Sequence, residues 1–177
     1  NLIAVHMVHL TEHEIKLVHQ YGCHVVHCPS SNMKLASGFA PIASLLGQGI
    51  NVGLGTDGAA SNNRLDMFEE IRQAALLAKA VSGKADALPA HQALRMATLN
   101  GANALGLGEI TGSLAIGKAA DITAVDFSDL NLAPCYDPVS HLIYTASREQ
   151  VSHVWVNGRM LLQDKELTTL NKFELQY

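Results

Sequence analysis

The sequence predicts an α/β fold, on three observations. Apolar, β-branched runs alternate with helical patterns through residues 1–107. The texture then changes, and residues 108–177 carry turn glycines and alternating apolar side chains. Within that part, two apolar runs flank Asn157-Gly158, a strong signal for a type I′ hairpin. Strands that alternate with helices imply parallel pairing through crossover connections. Three such units do not close a barrel. They are either the last third of a (β/α)₈ barrel or half of an open doubly wound sheet.

The elements follow in order. "LIAVHMV" (2–8) is short, apolar and β-like. Thr11, with Glu14 three residues on, makes a capping box, and Gly22 can end the helix it starts. "CHVVHCP" (23–29) is a second strand, stopped by Pro29. "SSNMKLASGFA" (30–40) reads as a polar loop, and "PIASLLGQG" (41–49) as a helix with proline at its start and glycine at its end. "INVGLGTD" (50–57) is the third strand. Residues 64–83 form a strongly amphipathic helix, with Asp66, Glu69, Glu70 and Arg72 expected on a solvated face. Residues 89–107 read as one or two helices broken near Gly101. A small β module is expected at 108–167, with "DPVSHLIYTA" (137–146) as a short helix returning to the first part.

Composition narrows the function classes. With 177 residues, 48% hydrophobic and 16% charged, the chain can bury a sizeable core in one domain or slightly more. The net charge of −4, without a basic stripe or an aromatic platform, argues against nucleic acid as a partner. No apolar run approaches the ~18–20 residues of a membrane helix, and the first residues lack the basic start of a signal peptide. The chain opens inside a strand-like run without Met, so it is expected to begin within a longer protein. Cys23, Cys28 and Cys135 are unclustered. A disulfide framework and a cysteine zinc knuckle are therefore not expected, and a cytoplasmic location fits.

Parallel α/β folds place functional side chains at the carboxyl ends of strands. His6, His27 and Asp57 stand at such positions. Each has a plain alternative. His6 can be a satisfied structural imidazole. Asp57 can form an Asx-turn or cap the next helix. For His27, packing or loop bracing is the preferred reading. Three polar side chains at successive strand ends nevertheless weigh together towards a site. The remaining histidines, 9, 13, 19, 24, 91, 141 and 153, read as structural or solvent-facing.

"HCPSSNMKLASGFAPI" (27–42), followed by "GLGTDGAASNNRLDMFEEIR" (53–72), resembles the amidohydrolase superfamily. Within it, the match is to the branch of 5-methylthioadenosine/S-adenosylhomocysteine deaminases and related chlorohydrolase-like enzymes. The tail "GSLAIGKAADITAVD…VSHVWVNGR" is similar to that family's closing β module. The resemblance implies the C-terminal part of a (β/α)₈ TIM barrel over residues 1–107, and a β-sandwich module with a return segment over 108–177. It also implies a divalent metal, zinc or alternatively Fe²⁺, whose water displaces ammonia from an adenine nucleoside thioether to leave the inosine analogue.

Carried over by motif, Asp57 is the metal ligand and accepts a proton from the attacking water. His6 sits beside that water and the substrate. Ser61 faces the substrate, and Asn32, in the "SSN" segment, borders the pocket. The chemistry suits these residue types: a divalent metal lowers the pKa of bound water from 15.7 to roughly 7, a nearby carboxylate can take the proton, and an imidazole can orient the nucleophile.

The family's His-x-His pair, its further metal-binding His and its general-acid Glu have no match in this sequence. One carboxylate is too little for a catalytic metal, which needs about three protein ligands. The chain is therefore expected to be the C-terminal portion of a longer enzyme. It would be inactive alone, would need the missing N-terminal portion as partner, and is compatible with a homo-oligomer. The alternatives are a triazine or other purine amino- or chlorohydrolase, and a non-catalytic fragment.

Overall fold

The computed structural model describes residues 2–172 and 174; the expected outer domain limits at Asn1 and Tyr177 lie outside them. Three short strands, β1 (Ile3–Val5), β2 (His24–His27) and β3 (Val52–Leu54), pair in parallel in the order β1-β2-β3. The register sets Ala4 against Val25 and Val26 against Gly53.

Helix α1 (Glu12–Gln20) crosses from β1 to β2. Its capping box forms as expected: the Glu14 N–H donates to Thr11 Oγ1 at 3.3 Å, and the Thr11 N–H donates to Glu14 Oε2 at 2.7 Å. Helix α3 (Ile42–Gly47) leads into β3 and buries Ile42 and Leu45. Helices α5 (Met67–Ser82), α6 (Ala90–Ala97) and α7 (Leu99–Ala104) follow. Val25, Leu45, Val52, Ala74, Ala75, Ala93, Met96 and Ile143 are all at 0% exposure and make one core. Ile143 belongs to α8 (Pro138–Tyr144), so the predicted return helix does come back, packing on α5 and α6.

Three expectations are corrected. The "polar loop" at 30–40 begins as a helix, α2 (Pro29–Lys34). Pro29 therefore does not merely stop β2; it opens α2, because proline's fixed φ suits the first helical position. The acidic face of α5 is not uniformly solvated: Asp66 is 4% and Glu70 0% exposed. Asp66 caps α5 by accepting from the Phe68 N–H at 3.0 Å. Finally, the break between α6 and α7 falls at Thr98 (φ −124, ψ −97), not at Gly101. Close packing against Gly101 is permitted by Gly53 of β3, where a Cβ would lie only 3.2 Å from the Gly101 Cα. Beside it, Asn100 Nδ2 donates to Val52 O at 2.9 Å, satisfying a carbonyl of β3.

The second sheet is antiparallel, with β4 (Ile122–Val125), β5 (Val151–Val156), β6 (Arg159–Gln163) and β7 (Glu166–Leu167) in that order. Asn157 (φ 49) and Gly158 (φ 77) both take the left-handed conformation of the predicted hairpin turn. Residues 108–121, expected within the β module, form no strand. Among the described residues, no helix is long and apolar enough to cross a membrane.

Candidate active site

β1 and β3 flank β2 and run parallel, so their carboxyl ends open on one edge of the sheet. His6 follows β1 directly. Its N–H still bonds to Val26 O at 3.0 Å, but φ is 70, and Met7 is also left-handed at φ 50. Asp57 follows β3 by three residues and has φ 61. A left-handed backbone is uncommon outside glycine, although Asp and His adopt it more readily than most residues. The result is a juxtaposition: His6 Nε2 lies 3.7 Å from Asp57 Oδ2.

Helix α2 supplies a partner to each. Ser31 Oγ donates to Asp57 Oδ2 at 2.7 Å. Asn32 Oδ1 and His6 Nδ1 form a hydrogen-bonded pair at 2.8 Å. The second carboxylate oxygen, Asp57 Oδ1, accepts the Gly58 N–H at 2.7 Å. These bonds favour the ionised acid, and the pKa of Asp57 falls to about 2, chiefly through Ser31 and then through the Gly58 N–H. Ser61 Oγ, in α4 (Ala59–Asn62), donates to Gly58 O at 3.0 Å.

His27 is 3% exposed. Burial, followed by the His6 charge, lowers its pKa to about 4, so it is neutral at physiological pH. Cys28 is also buried, and burial aided by the Asp57 and Glu70 carboxylates pushes its thiol up to about 11. It is a packing residue and not a nucleophile.

The sequence-predicted positions thus divide. Asp57 and His6 come together. Ser61 lies on the same loop as Asp57, with its hydroxyl engaged by Gly58 O. Asn32 is 3% exposed, its Oδ1 meets His6 Nδ1, and it lines a small cleft with His27, Met33 and Phe39. Ser31 was not anticipated, because reading residues 30–40 as loop hid the helix that aims it. The buried role of Glu70 was missed as well. Its signal was present in the i, i+4, i+8 spacing that places Glu70 on one stripe with the buried Ala74 and Ala78.

Asp57 suits a metal ligand. Its side chain is ionised, 33% exposed, and each oxygen carries a single hydrogen bond from this chain. Among the described residues, no group of three or more His, Cys, Asp or Glu side chains is placed to hold a metal ion.

The chain is similar to known proteins over most of its length. The profile described as "Amidohydrolase family" matches residues 1–161. A 5-methylthioadenosine/S-adenosylhomocysteine deaminase of Teredinibacter turnerae is 53% identical over 172 residues, which is 97% of this chain and 39% of the relative. A 5'-deoxyadenosine deaminase of Methanosarcina acetivorans is 47% identical over 97% of this chain and 39% of its own length. Among solved structures, an adenosine deaminase from Xanthomonas campestris with bound zinc superposes with a TM-score of 0.97 at 52% identity, over 99% of this chain and 40% of that one. An atrazine chlorohydrolase from Arthrobacter aurescens, complexed with zinc, gives 0.93 at 30% identity, over 98% of this chain and 39% of that one. The chain thus spans about two fifths of the length of the relatives it matches. With its strand-end carboxylate and imidazole, and a match over residues 1–161, the chain belongs to the amidohydrolase family.

Proposed function

We propose that this chain forms part of a metal-dependent aminohydrolase that converts an adenine nucleoside thioether, 5'-methylthioadenosine or S-adenosylhomocysteine, into the inosine analogue and ammonia. The observation that carries the reading is the meeting of Asp57 and His6 at the carboxyl edge of one parallel sheet. Identity of 47–53% to deaminases of adenine nucleosides supports the substrate class. On this reading β1, β2 and β3 are the sixth, seventh and eighth strands of a (β/α)₈ barrel. The exposed outer edge at β1, where Leu2, Ile3 and Val5 are 37–62% exposed, is where the preceding strand pairs. The antiparallel sheet belongs to a β-sandwich module within residues 108–177.

Asp57 would hold the metal, zinc by analogy with the neighbouring structures. The remaining ligands and the general acid would come from sequence outside residues 1–177. A bound divalent ion lowers the pKa of water to roughly 7 and so provides the nucleophile at neutral pH. The residues of this chain do the rest of their part by position. Asp57 Oδ2 accepts a proton from the attacking water. It then passes that proton on towards the departing ammonia. Asn32 engages His6 Nδ1, which leaves Nε2 facing Asp57 to orient the water and the developing tetrahedral carbon. Ser61 contacts the substrate beyond the carboxylate.

The test is ammonia and chloride release by the full-length protein from 5'-methylthioadenosine, S-adenosylhomocysteine, adenosine monophosphate and a chlorotriazine. Deamination of the first two in preference to the monophosphate is expected. Dechlorination without deamination would transfer the reading to the chlorohydrolase branch, and no reaction with any of the four would remove the substrate assignment.

A further inference from the structure

Glu70 is fully buried on α5, and among the described residues no cation forms an ion pair with it. Its two oxygens serve two different segments. Oε2 accepts the Ser30 backbone N–H at 3.1 Å. Oε1 accepts the Asn62 side-chain amide at 2.7 Å. The same Asn62 Nδ2 donates to Thr56 O at 2.7 Å. Ser30 immediately precedes Ser31, and Thr56 immediately precedes Asp57. One carboxylate is therefore tied to the residue before each partner in the Ser31–Asp57 bond. One turn further along α5, Gln73 Oε1 accepts from Ser30 Oγ at 2.7 Å and reinforces the first arm.

Burying an acid without a counter-charge is unfavourable. A leucine would fill the space but would leave the Ser30 N–H and one of the two Asn62 amide hydrogens without their acceptor. What the carboxylate adds is a fixed separation between α2 and the loop that follows β3. We propose that Glu70 is a positioning residue for Asp57: through Ser30 and Asn62 it holds the two segments whose spacing aims the Asp57 carboxylate. The inference rests on the reading of Asp57 as a metal ligand and extends it to a residue that touches neither metal nor substrate.

The test uses the full-length protein with Glu70→Gln, Glu70→Asp and Asn62→Ala. Three quantities are measured: zinc affinity by competition with a chromophoric chelator, kcat and KM for ammonia release, and the Tm of the zinc-free protein. Glu70→Gln keeps the shape but turns one acceptor into an amide that faces a donor. It is expected to weaken zinc binding about 10–100-fold and to lower kcat at saturating zinc, with KM little changed. Glu70→Asp keeps the charge but cannot reach both segments, and should behave similarly. Asn62→Ala leaves the Ser30 arm in place and cuts the Thr56 arm, together with the bonds that the Arg64 and Leu65 N–H groups donate to Asn62 Oδ1. It should give a partial loss, with zinc affinity in Glu70→Gln/Asn62→Ala no worse than in Glu70→Gln alone.

A fall in Tm with zinc affinity and kcat unchanged would make Glu70 merely structural and overturn the proposal. If Glu70→Gln does not fold, Asn62→Ala decides, and wild-type zinc affinity and kcat in that variant overturn it equally. A wild-type protein that binds zinc but deaminates no nucleoside would overturn the substrate reading alone, because the zinc competition still tests Glu70. A wild-type protein that binds no zinc would remove the reading of Asp57 itself, and this inference with it.

Discussion

Ser31 and Asp57 are joined by a 2.7 Å hydrogen bond that spans 26 residues of sequence, and the neighbouring Asn32 reaches His6 across the same interval. Two adjacent residues of one short helix therefore hold both members of the candidate site. The site is as rigid as α2 is well seated, and α2 is seated by Glu70 and Gln73.

The first prediction concerns Asp57. Asp57→Asn is nearly isosteric, so the full-length protein should fold. The amide is a poorer ligand and cannot take a proton, so turnover should be abolished. Steady-state ammonia release near the wild-type rate would remove Asp57 from its role.

Ser31→Ala deletes a donor to Asp57 Oδ2 and leaves a buried methyl in its place. Loss of a hydrogen bond to a ligating carboxylate typically costs about 10–100-fold in metal affinity or activity. Zinc competition on the full-length protein should show a loss in that range, and an unchanged affinity would mean that Ser31 does not aim the carboxylate.

His6→Ala should lower kcat by roughly 10²–10⁴ with zinc content near wild type. Metal analysis of the purified variant separates the two outcomes: loss of zinc would make His6 a ligand and not an orienting group.

His27 predicts a pH effect on stability. Its pKa is lowered from 6.5 to about 4 in the fold, mainly by burial. Above pH 6.5 the imidazole is neutral in both states and contributes no pH dependence. Between pH 6.5 and about 4 the unfolded chain takes up a proton that the folded chain refuses. Stability therefore falls with acidification, by on the order of 3 kcal/mol over that window. Below about pH 4 the effect levels off. His27→Leu should remove this part of the slope in urea denaturation of the full-length protein, and parallel profiles for wild type and variant would contradict it.

Leu45→Ala should destabilise the protein by about 2–5 kcal/mol, the range for emptying a closed apolar site, because Leu45 is wholly buried between α3 and the sheet core. A shift of the denaturation midpoint equivalent to less than about 1 kcal/mol would show that the site collapses around the smaller residue.

Local chemistry alone made much of this chain legible. Thr11 and Glu14 marked the start of α1, because a capping box is settled within four residues. Asn157-Gly158 marked the hairpin, because two consecutive left-handed residues suit few other dipeptides. The β-branched runs gave away the three parallel strands, and their ends singled out His6 and Asp57. What remained depended on distance in space. No local pattern states that His6 and Asp57 lie 3.7 Å apart, since that follows from both strands flanking β2. Asn32 looked like a loop residue until α2 was seen to turn it into the protein against His6. Glu70 looked like a solvated charge because acids usually face water. Only the approach of Ser30 and Asn62, from segments 40 and 8 residues away, supplies the donors that make its burial tolerable.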